Sequence, residues 1–232
     1  MLRILYRDDH LIAIDKPPGL LVHRTGLDAG ETRFAVQLLR DQIGRPVWPV
    51  HRLDKGTSGV LLFALDADTA TTLGRAFEAG EGLHKTYHAV VRGWPPDQGL
   101  IDHPLRRMPD DMRTGREEVQ AAQTRFATLV RHELPIACDR FPSTRCALVT
   151  LQPLTGRRHQ LRRHLKHIAH PIIGDATHGK GPLNRAVAAW LGTQRLWLHA
   201  SELCLAHPRS GVWLSISAPL GSPWSRWTAP TG

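Results

Sequence analysis

The nine residues from His51 to Gly59, HRLDKGTSG, decide how the rest of the chain is interpreted. One carboxylate, Asp54, stands beside an arginine and a lysine, and two glycines and two hydroxyl residues follow. This composition favours a tight turn whose backbone can approach a ligand. The apolar run 60–65 predicts a buried strand that fixes the turn to the core. Composition alone leaves two interpretations of Asp54, an ordinary loop aspartate or a catalytic acid on a rigid mount.

The overall composition narrows the class of protein. The chain has 232 residues, of which 41% are hydrophobic and 22% charged, as in ordinary globular proteins. Its apolar runs fall short of the roughly 20 residues that span a bilayer, and its amino terminus has no signal-peptide pattern, so we expect a cytoplasmic protein without a membrane segment. The net charge of +9 favours a polyanionic partner such as nucleic acid. Three isolated cysteines suggest neither a disulfide framework nor a zinc knuckle.

Hydrophobic periodicity predicts a mixture of strands and helices. We expect strands over 2–6, 10–15, 60–65, 84–91, 124–131, 145–152 and 212–217. We expect helices over 32–43, ended by Gly44, and from a cap at Asp66 or Asp68 to Phe77. Residues 93–120 show neither period and are predicted to be a loop. Nothing resembles a linker or repeat, so one domain over 1–232 is expected.

A second chemical centre is the string LTGRRHQLRRHL at 154–165. A helix predicted over 157–169 would place its apolar residues on one face and Arg158, Arg162 and Lys166 in a stripe beside it. At the border of the core, the Arg162 guanidinium could hold a carboxylate through two parallel hydrogen bonds. Five cationic residues with no acidic neighbour in this segment would repel one another unless a polyanion lay alongside, so we favour an RNA-facing helix over a merely solvated one.

The three histidines His164, His167 and His170 raise the question of a metal site. Their spacing of three drifts around a helix, and no cysteine or carboxylate lies near them in the sequence. We therefore predict that the protein holds no metal.

The string HRLDxxTSG closely resembles the signature of the RluA-type pseudouridine synthases. Further strings resemble that family along nearly the whole chain: KPxG followed by Val22-His23, Lys85-Thr86-Tyr87-His88-Ala89, TGRxHQxRxH, HPIxGD, and Leu196-Trp197-Leu198-His199-Ala200-Ser201. The resemblance implies that Asp54 is the catalytic residue, that Tyr87 lines the active site, and that Arg162 pairs with Asp54. It also implies a single α/β domain of the α+β type, with a mixed, largely antiparallel central sheet flanked by helices and loops. The accessory S4 domain of some relatives is not expected.

Within this family, the stretch 157–185, with GDxTHG and a nearby Asn-Arg pair, is most similar to the TruC-type branch, which modifies a uridine in the tRNA acceptor stem. The resemblance therefore implies an RNA isomerase acting on tRNA as a monomer. Isomerising uridine breaks a C–N bond and joins C5 of the base to the sugar without net loss of electrons, so no cofactor is expected. Alternatives are a ribosomal RNA substrate, a non-catalytic RNA-binding protein on the same scaffold, and a hydrolase using Asp54, for which a second carboxylate in a comparable motif is missing.

Roles follow for the residues of these strings. An ionised Asp54 would either attack the sugar carbon or remove its 2′ proton, and the sequence leaves both routes open. Tyr87 would stack on the base and help to remove the C5 proton, while Arg52 would fill the space that the extruded base leaves. Residues expected to contact the substrate are His51, Arg52, Thr57, Arg157, Arg158, His159, Gln160, Lys166, Leu196 and Leu198.

Overall fold

The structure is a computed structural model that describes residues 1–24, 30–108, 118–138 and 140–229. Its strands are β1 (Arg3–Arg7), β2 (Leu11–Lys16), β3 (Trp48–Pro49), β4 (Ser58–Ala64), β5 (Leu83–Arg92), β6 (Gln98–Asp102), β7 (Leu105–Arg106), β8 (Val119–Gln120), β9 (Gln123–Leu134), β10 (Thr144–Pro153), β11 (Leu198–Ala206) and β12 (Trp213–Ser217). Its helices are α1 (Ala35–Ile43), α2 (Ala67–Ala79), α3 (Gln160–His167), α4 (Gly181–Leu191) and α5 (Ser225–Thr228). Among the described residues, no helix is long and apolar enough to cross a membrane.

The chain divides into two compact units, each assembled from separated stretches of sequence. The first contains 1–85, 105–120 and 200–219, and the second contains 86–104, 121–199 and 220–232. Asp54 belongs to the first unit, whereas Tyr87 and Arg162 belong to the second.

In the first unit the strand order is β1-β2-β4-β11, with β3 paired to β4 and β12 to β11. Strand β4 is buried along its whole length, as its unbroken apolar sequence predicts. At its start, Gly59 has a φ of +107°, and an ideal Cβ there would lie 2.1 Å from the carbonyl oxygen of Ala200. A larger residue would therefore push β11 away from the strand that follows the Asp54 turn.

In the second unit the strand order is β5-β10-β9-β6, and the pairs β5·β10, β10·β9 and β9·β6 are antiparallel. Alternate residues of β10 point to opposite faces, because side chains alternate along a strand. Ala147 and Val149 belong to a core cluster with Leu161 and Leu165 of α3. Cys146 and Leu148, on the other face, belong to a cluster that includes residues of α4 and α5. Strand β10 is thus covered on both faces.

Most elements predicted from periodicity are confirmed. The strands at 2–6 and 10–15 form the antiparallel hairpin β1·β2, and α1 ends at Gly44 in a left-handed conformation. Helix α2 is capped by Asp66, whose carboxylate accepts a hydrogen bond from the backbone N–H of Thr69. The mixed fold class with a mostly antiparallel sheet is confirmed as well.

Two expectations were wrong, and one helix was not predicted. The segment 93–120 contains β6, β7 and β8, although residues 109–117 lie outside the described part of the chain. Helix α3 begins at Gln160 rather than at 157 and ends at His167. Helix α4 was not predicted, because Gly181 and Pro182 resemble turn residues; proline is well suited to the first turn of a helix, where its missing N–H costs no hydrogen bond.

Candidate active site

The Asp54 turn is anchored at both ends within the first unit. Leu53 is buried before it and Thr57 after it, whereas Asp54 itself is half-buried and Arg52 is exposed. The backbone N–H of Thr57 donates to the carbonyl oxygen of Asp54 at 3.0 Å, which closes the turn. The carboxylate is therefore held on a short, fixed loop that still reaches solvent, as a group that must meet a substrate requires.

Lys16 stabilises the Asp54 turn from inside the protein. It is fully buried, and its ammonium donates to the carbonyl oxygens of Pro17, Leu20 and Lys55, at 2.9, 2.8 and 3.2 Å. The carbonyl of Lys55, the residue after Asp54, also accepts from the N–H of Gly19. One buried cation thus ties the KPPG turn to the Asp54 turn, a role that the sequence analysis did not assign to it.

His51 is also turned inward in the first unit. Its ring stacks on Phe77 with centroids 4.7 Å apart, and its Nε2 accepts the N–H of Leu62 at 3.0 Å. Burial, with the ammonium of Lys85 nearby, lowers the pKa of His51 to about 3. A neutral imidazole that accepts a backbone hydrogen bond from β4 supports the Asp54 turn.

Tyr87 lies on β5 in the second unit, opposite Leu151 of β10. Its half-buried ring packs against a cluster that contains Leu196 and Leu198 together with Leu161 of α3. The structure therefore brings Tyr87, both predicted apolar-wall leucines and α3 to one cluster. A half-buried tyrosine on an apolar wall is suited to stack on a base.

Arg162 makes a two-pronged ion pair inside the second unit. Its Nε donates to Oδ2 of Asp175 at 2.7 Å and its Nη2 to Oδ1 at 2.8 Å, with the arginine side chain 10% exposed and the carboxylate 0%. Burial alone would raise the pKa of Asp175, but the Arg162 guanidinium and the N–H groups of His178 and Thr177 hold it below its ordinary value. The pair is therefore ionised.

This pair changes the prediction that Arg162 belongs to a basic stripe on α3. The two-pronged geometry was predicted, but the carboxylate in it is Asp175, which lies beyond the helix in sequence. Arg162 therefore does not extend the exposed stripe, in which Lys166 remains exposed. The expected pairing of Arg162 with Asp54 would join the two units and stays a prediction.

Other residues of the TGRRHQ string support the start of α3. Gln160 is buried; its Oε1 accepts from the Thr155 hydroxyl and the Arg157 N–H, and its Nε2 donates to the Gln123 carbonyl and the Thr124 hydroxyl. All of its hydrogen-bonding capacity is thereby used within the protein, so Gln160 supports the fold, and its predicted contact with the substrate stays a prediction.

The neighbours of Gln160 are also engaged by the protein. Arg157 is half-buried and its Nε donates to the carbonyl of Ala121 at 3.1 Å. His159 precedes α3 with a φ of +54°, and its Nδ1 lies 3.2 Å from Nε2 of His178. Arg158 is half-buried.

The two histidines of α3, and His170 beyond it, contact protein groups. His164 is buried, with Nδ1 2.9 Å from the Thr124 hydroxyl and Nε2 3.0 Å from the carbonyl of His103. His167 stacks on the ring of His103 at 3.6 Å, and Nδ1 of His170 lies 2.8 Å from the carbonyl of Arg92. Within the described residues, no group of three or more potential ligands is arranged to hold a metal.

Comparison with known proteins identifies the family. A family model described as RNA pseudouridylate synthase matches residues 10–167, which include the Asp54 turn, Tyr87 and α3. The chain belongs to the RNA pseudouridylate synthase family. This confirms the family and the enzyme class expected from the sequence.

Individual members of the RNA pseudouridylate synthase family match over nearly the full chain. A protein of Vibrio cholerae serotype O1 named tRNA pseudouridine synthase C is 48% identical over 228 residues, which are 97% of this chain and 93% of that protein. The solved structure of human RNA Pseudouridylate Synthase Domain Containing 1 matches with a TM-score of 0.73 and 25% identity, covering 99% of this chain and 86% of the human one. Human RNA Pseudouridylate Synthase Domain Containing 4 matches with a TM-score of 0.70 and 29% identity, covering 99% and 95%.

The supporting roles of two residues were missed in the sequence analysis. Lys16 stood in the recognised KPxG string and Asp175 in HPIxGD, so the signal for both was present. Their contacts join residues 39 and 13 positions apart in sequence, and periodicity does not reveal such pairs.

Proposed function

We propose that this synthase converts one uridine of the tRNA acceptor stem to pseudouridine, with Asp54 as the catalytic residue. The observation that carries the proposal is the 48% identity over 97% of the chain to a protein named tRNA pseudouridine synthase C, together with the half-buried Asp54 on a fixed turn. The match of 157–185 to the acceptor-stem branch supports the position within tRNA.

Asp54 acts on the sugar of the target nucleotide. Its carboxylate either attacks C1′ as the C1′–N1 bond breaks, or removes the 2′ proton to give a glycal as the uracil anion leaves. The uracil then rotates so that C5 faces C1′. The C5–C1′ bond forms as the Asp54–C1′ bond breaks in the first route, or as C2′ of the glycal regains its proton from Asp54 in the second. The C5 proton is then lost and N1 gains one. Atoms and electrons balance in both routes without a redox partner, so side chains alone can support the reaction.

Tyr87 and Arg162 assist this chemistry in the proposal. The Tyr87 ring, on the wall formed with Leu196 and Leu198, stacks on the extruded uracil, and its hydroxyl takes part in removing the C5 proton. The Arg162 guanidinium pairs with the Asp54 carboxylate and holds it in place for the reaction, because an arginine can bind a carboxylate through two parallel hydrogen bonds. These roles follow the family pattern and the positions of the residues within their own unit.

Charge and exposed side chains supply the binding energy. The net charge of +9 favours an RNA backbone, and exposed Arg52 and Lys166 are available to contact it, with Arg185 exposed on α4. The base must leave its stack before reaction, at a cost of a few kcal/mol, and Arg52 fills the vacated space. A cytoplasmic location and a monomeric state also belong to this proposal, the latter tested by light scattering.

A substitution pair tests the proposed role of Asp54. Asp54→Asn removes the reactive carboxylate but keeps its size, so pseudouridine formation in tRNA should be abolished while tRNA affinity stays within a few-fold, because phosphate contacts dominate binding. Asp68→Asn is the matched control, since that carboxylate is exposed on α2. Turnover near wild type in Asp54→Asn would refute the mechanism, and equal loss in both variants would show a nonspecific effect.

A further inference from the structure

The Asp175 carboxylate that holds Arg162 is itself rigidly fixed. Besides the two bonds from the guanidinium, Oδ1 accepts the backbone N–H groups of Thr177 and His178, both at 2.9 Å. The side chain has no solvent exposure. Because backbone N–H groups hold the carboxylate independently of the arginine, the carboxylate fixes the position of the Arg162 guanidinium.

The backbone of the same turn is fixed by Asn184, the only asparagine in the sequence. From α4, its Oδ1 accepts the N–H of Gly174 at 2.9 Å and its Nδ2 donates to the carbonyl of Asp175 at 2.9 Å. One amide side chain therefore binds the first N–H and the last carbonyl of the Gly174–Asp175 dipeptide. The amide has both a donor and an acceptor at the required spacing, which neither aspartate nor leucine provides.

The conformation at Gly174 explains why the turn needs such a support. Its φ is +79°, a backbone conformation that residues other than glycine rarely adopt. An ideal Cβ at this position would lie 1.8 Å from the carbonyl oxygen of Arg195. The turn passes so close to the neighbouring backbone that only glycine fits. Glycine is the most flexible residue when it is not restrained, and the two Asn184 bonds provide the restraint.

We infer that Asp175 and Asn184 are positioning residues for catalysis: Asn184 fixes the Gly174–Asp175 turn, and Asp175 fixes the Arg162 guanidinium. The inference rests on the proposed role of Arg162. An unrestrained arginine loses rotamer entropy when it binds, so a guanidinium that is already fixed meets the reacting groups at lower cost. The pair uses Nε and Nη2 and leaves the Nη1 edge outside it.

Single variants test the inference through the split between turnover and binding. Asp175→Asn should lower kcat roughly a hundredfold, and Asn184→Ala should lower it by less, because a catalytic group displaced by about 1 Å costs about that much. The Kd for tRNA should stay within about threefold in both, since phosphate contacts supply affinity. Asp97→Asn is the control, because Asp97 also pairs with an arginine, Arg131, through one contact but is 86% exposed.

A control for stability separates positioning from folding. Val187 is fully buried on α4, and Val187→Ala weakens the same helix without touching the Asn184 bonds. All variants are assayed well below their Tm. If Val187→Ala lowers Tm as much as Asn184→Ala does and also loses the same turnover, Asn184 acts only through stability and the inference is overturned. If Asp175→Asn does not fold, the comparison of Asn184→Ala with Val187→Ala decides.

A double-mutant cycle identifies the route of the effect. If Asp175 acts through Arg162, adding Asp175→Asn to Arg162→Lys should change kcat less than about twofold, whereas independent effects would multiply. Multiplying effects, or Asp175→Asn and Asn184→Ala turnover within twofold of wild type, would overturn the inference. An active Arg162→Lys variant would instead refute the proposed role of Arg162, so the two failures are distinguishable.

Discussion

Replacement of Lys16 by methionine tests how the Asp54 turn is supported. Methionine has a similar length and keeps the apolar contacts of the lysine stem, but it donates no hydrogen bonds. The change therefore removes the bonds to the carbonyls of Pro17, Leu20 and Lys55 at one fully buried position. The Lys55 carbonyl keeps its bond from Gly19, so the bonds to Pro17 and Leu20 dominate the loss.

The structure sets the expected size of this loss. A hydrogen bond that involves a charged group contributes about 1.5–3 kcal/mol net, so two such bonds amount to about 3–6 kcal/mol. In a protein of this size each kcal/mol shifts Tm by about 2–4 °C, which gives a decrease of roughly 6–24 °C. The amide of Gly19 should also exchange its hydrogen faster, because the carbonyl that it binds becomes less constrained.

Calorimetry and hydrogen exchange measure both effects. Lys166→Met is the control, because Lys166 is exposed and a substitution there should change the free energy of unfolding by no more than about 0.5 kcal/mol. A Tm of Lys16→Met within 2 °C of wild type would contradict this reasoning, since about 3 kcal/mol could not be lost without a larger shift.

Three further predictions concern the site. Arg162→Lys should lower kcat roughly a hundredfold although charge is kept, because lysine cannot reproduce the two-pronged geometry. Arg163→Lys, the control, should leave kcat unchanged. If Arg162→Lys and Arg163→Lys have similar rates in single-turnover assays, Arg162 lies outside the mechanism. Tyr87→Phe should slow loss of the C5 proton about a hundredfold or more. In this variant, tRNA deuterated at C5 should therefore react more slowly than tRNA with hydrogen at C5. A Tyr87→Phe rate equal to that of wild type would show that the hydroxyl takes no part in removing the proton. The pKa of Asp175 is lower in the folded protein than its unfolded value of 3.8, so its ionised form stabilises the fold above pH 3.8, and this stabilisation is lost as pH falls through the folded pKa. The Tm difference between wild type and Asp175→Asn should therefore shrink in acid. A Tm difference that does not change with pH would contradict the pairing.

Local sequence patterns predicted the elements whose cause is local. Alternation predicted β5, an unbroken apolar run predicted β4, and a helical period with a following glycine predicted α1 and its end at Gly44. Asp66 could be recognised as a cap because capping acts over three residues. The strings around Asp54, Tyr87 and Arg162 were found through their resemblance to a family.

Contacts between distant segments were beyond such reasoning. The partner of Arg162 lies 13 residues away, past the end of α3, and no period relates the two positions. Treated alone, α3 has unbalanced positive charge, and the sequence analysis took this charge as evidence for an RNA-facing helix. The buried carboxylate of Asp175 neutralises part of it from outside the helix. Strand β6 was missed because its stability comes from pairing with β9 rather than from its own pattern.

The central claim is that this synthase modifies tRNA, and one measurement tests it directly. Purified protein is incubated with total tRNA lacking pseudouridine and, separately, with unmodified large-subunit ribosomal RNA, and new pseudouridines are located in each. The account predicts one new pseudouridine in the acceptor stem of tRNA and none with Asp54→Asn, with the rate falling steeply as salt rises, because each neutralised phosphate releases counterions. Modification confined to ribosomal RNA would contradict the tRNA assignment, and modification of neither RNA would contradict the proposed activity.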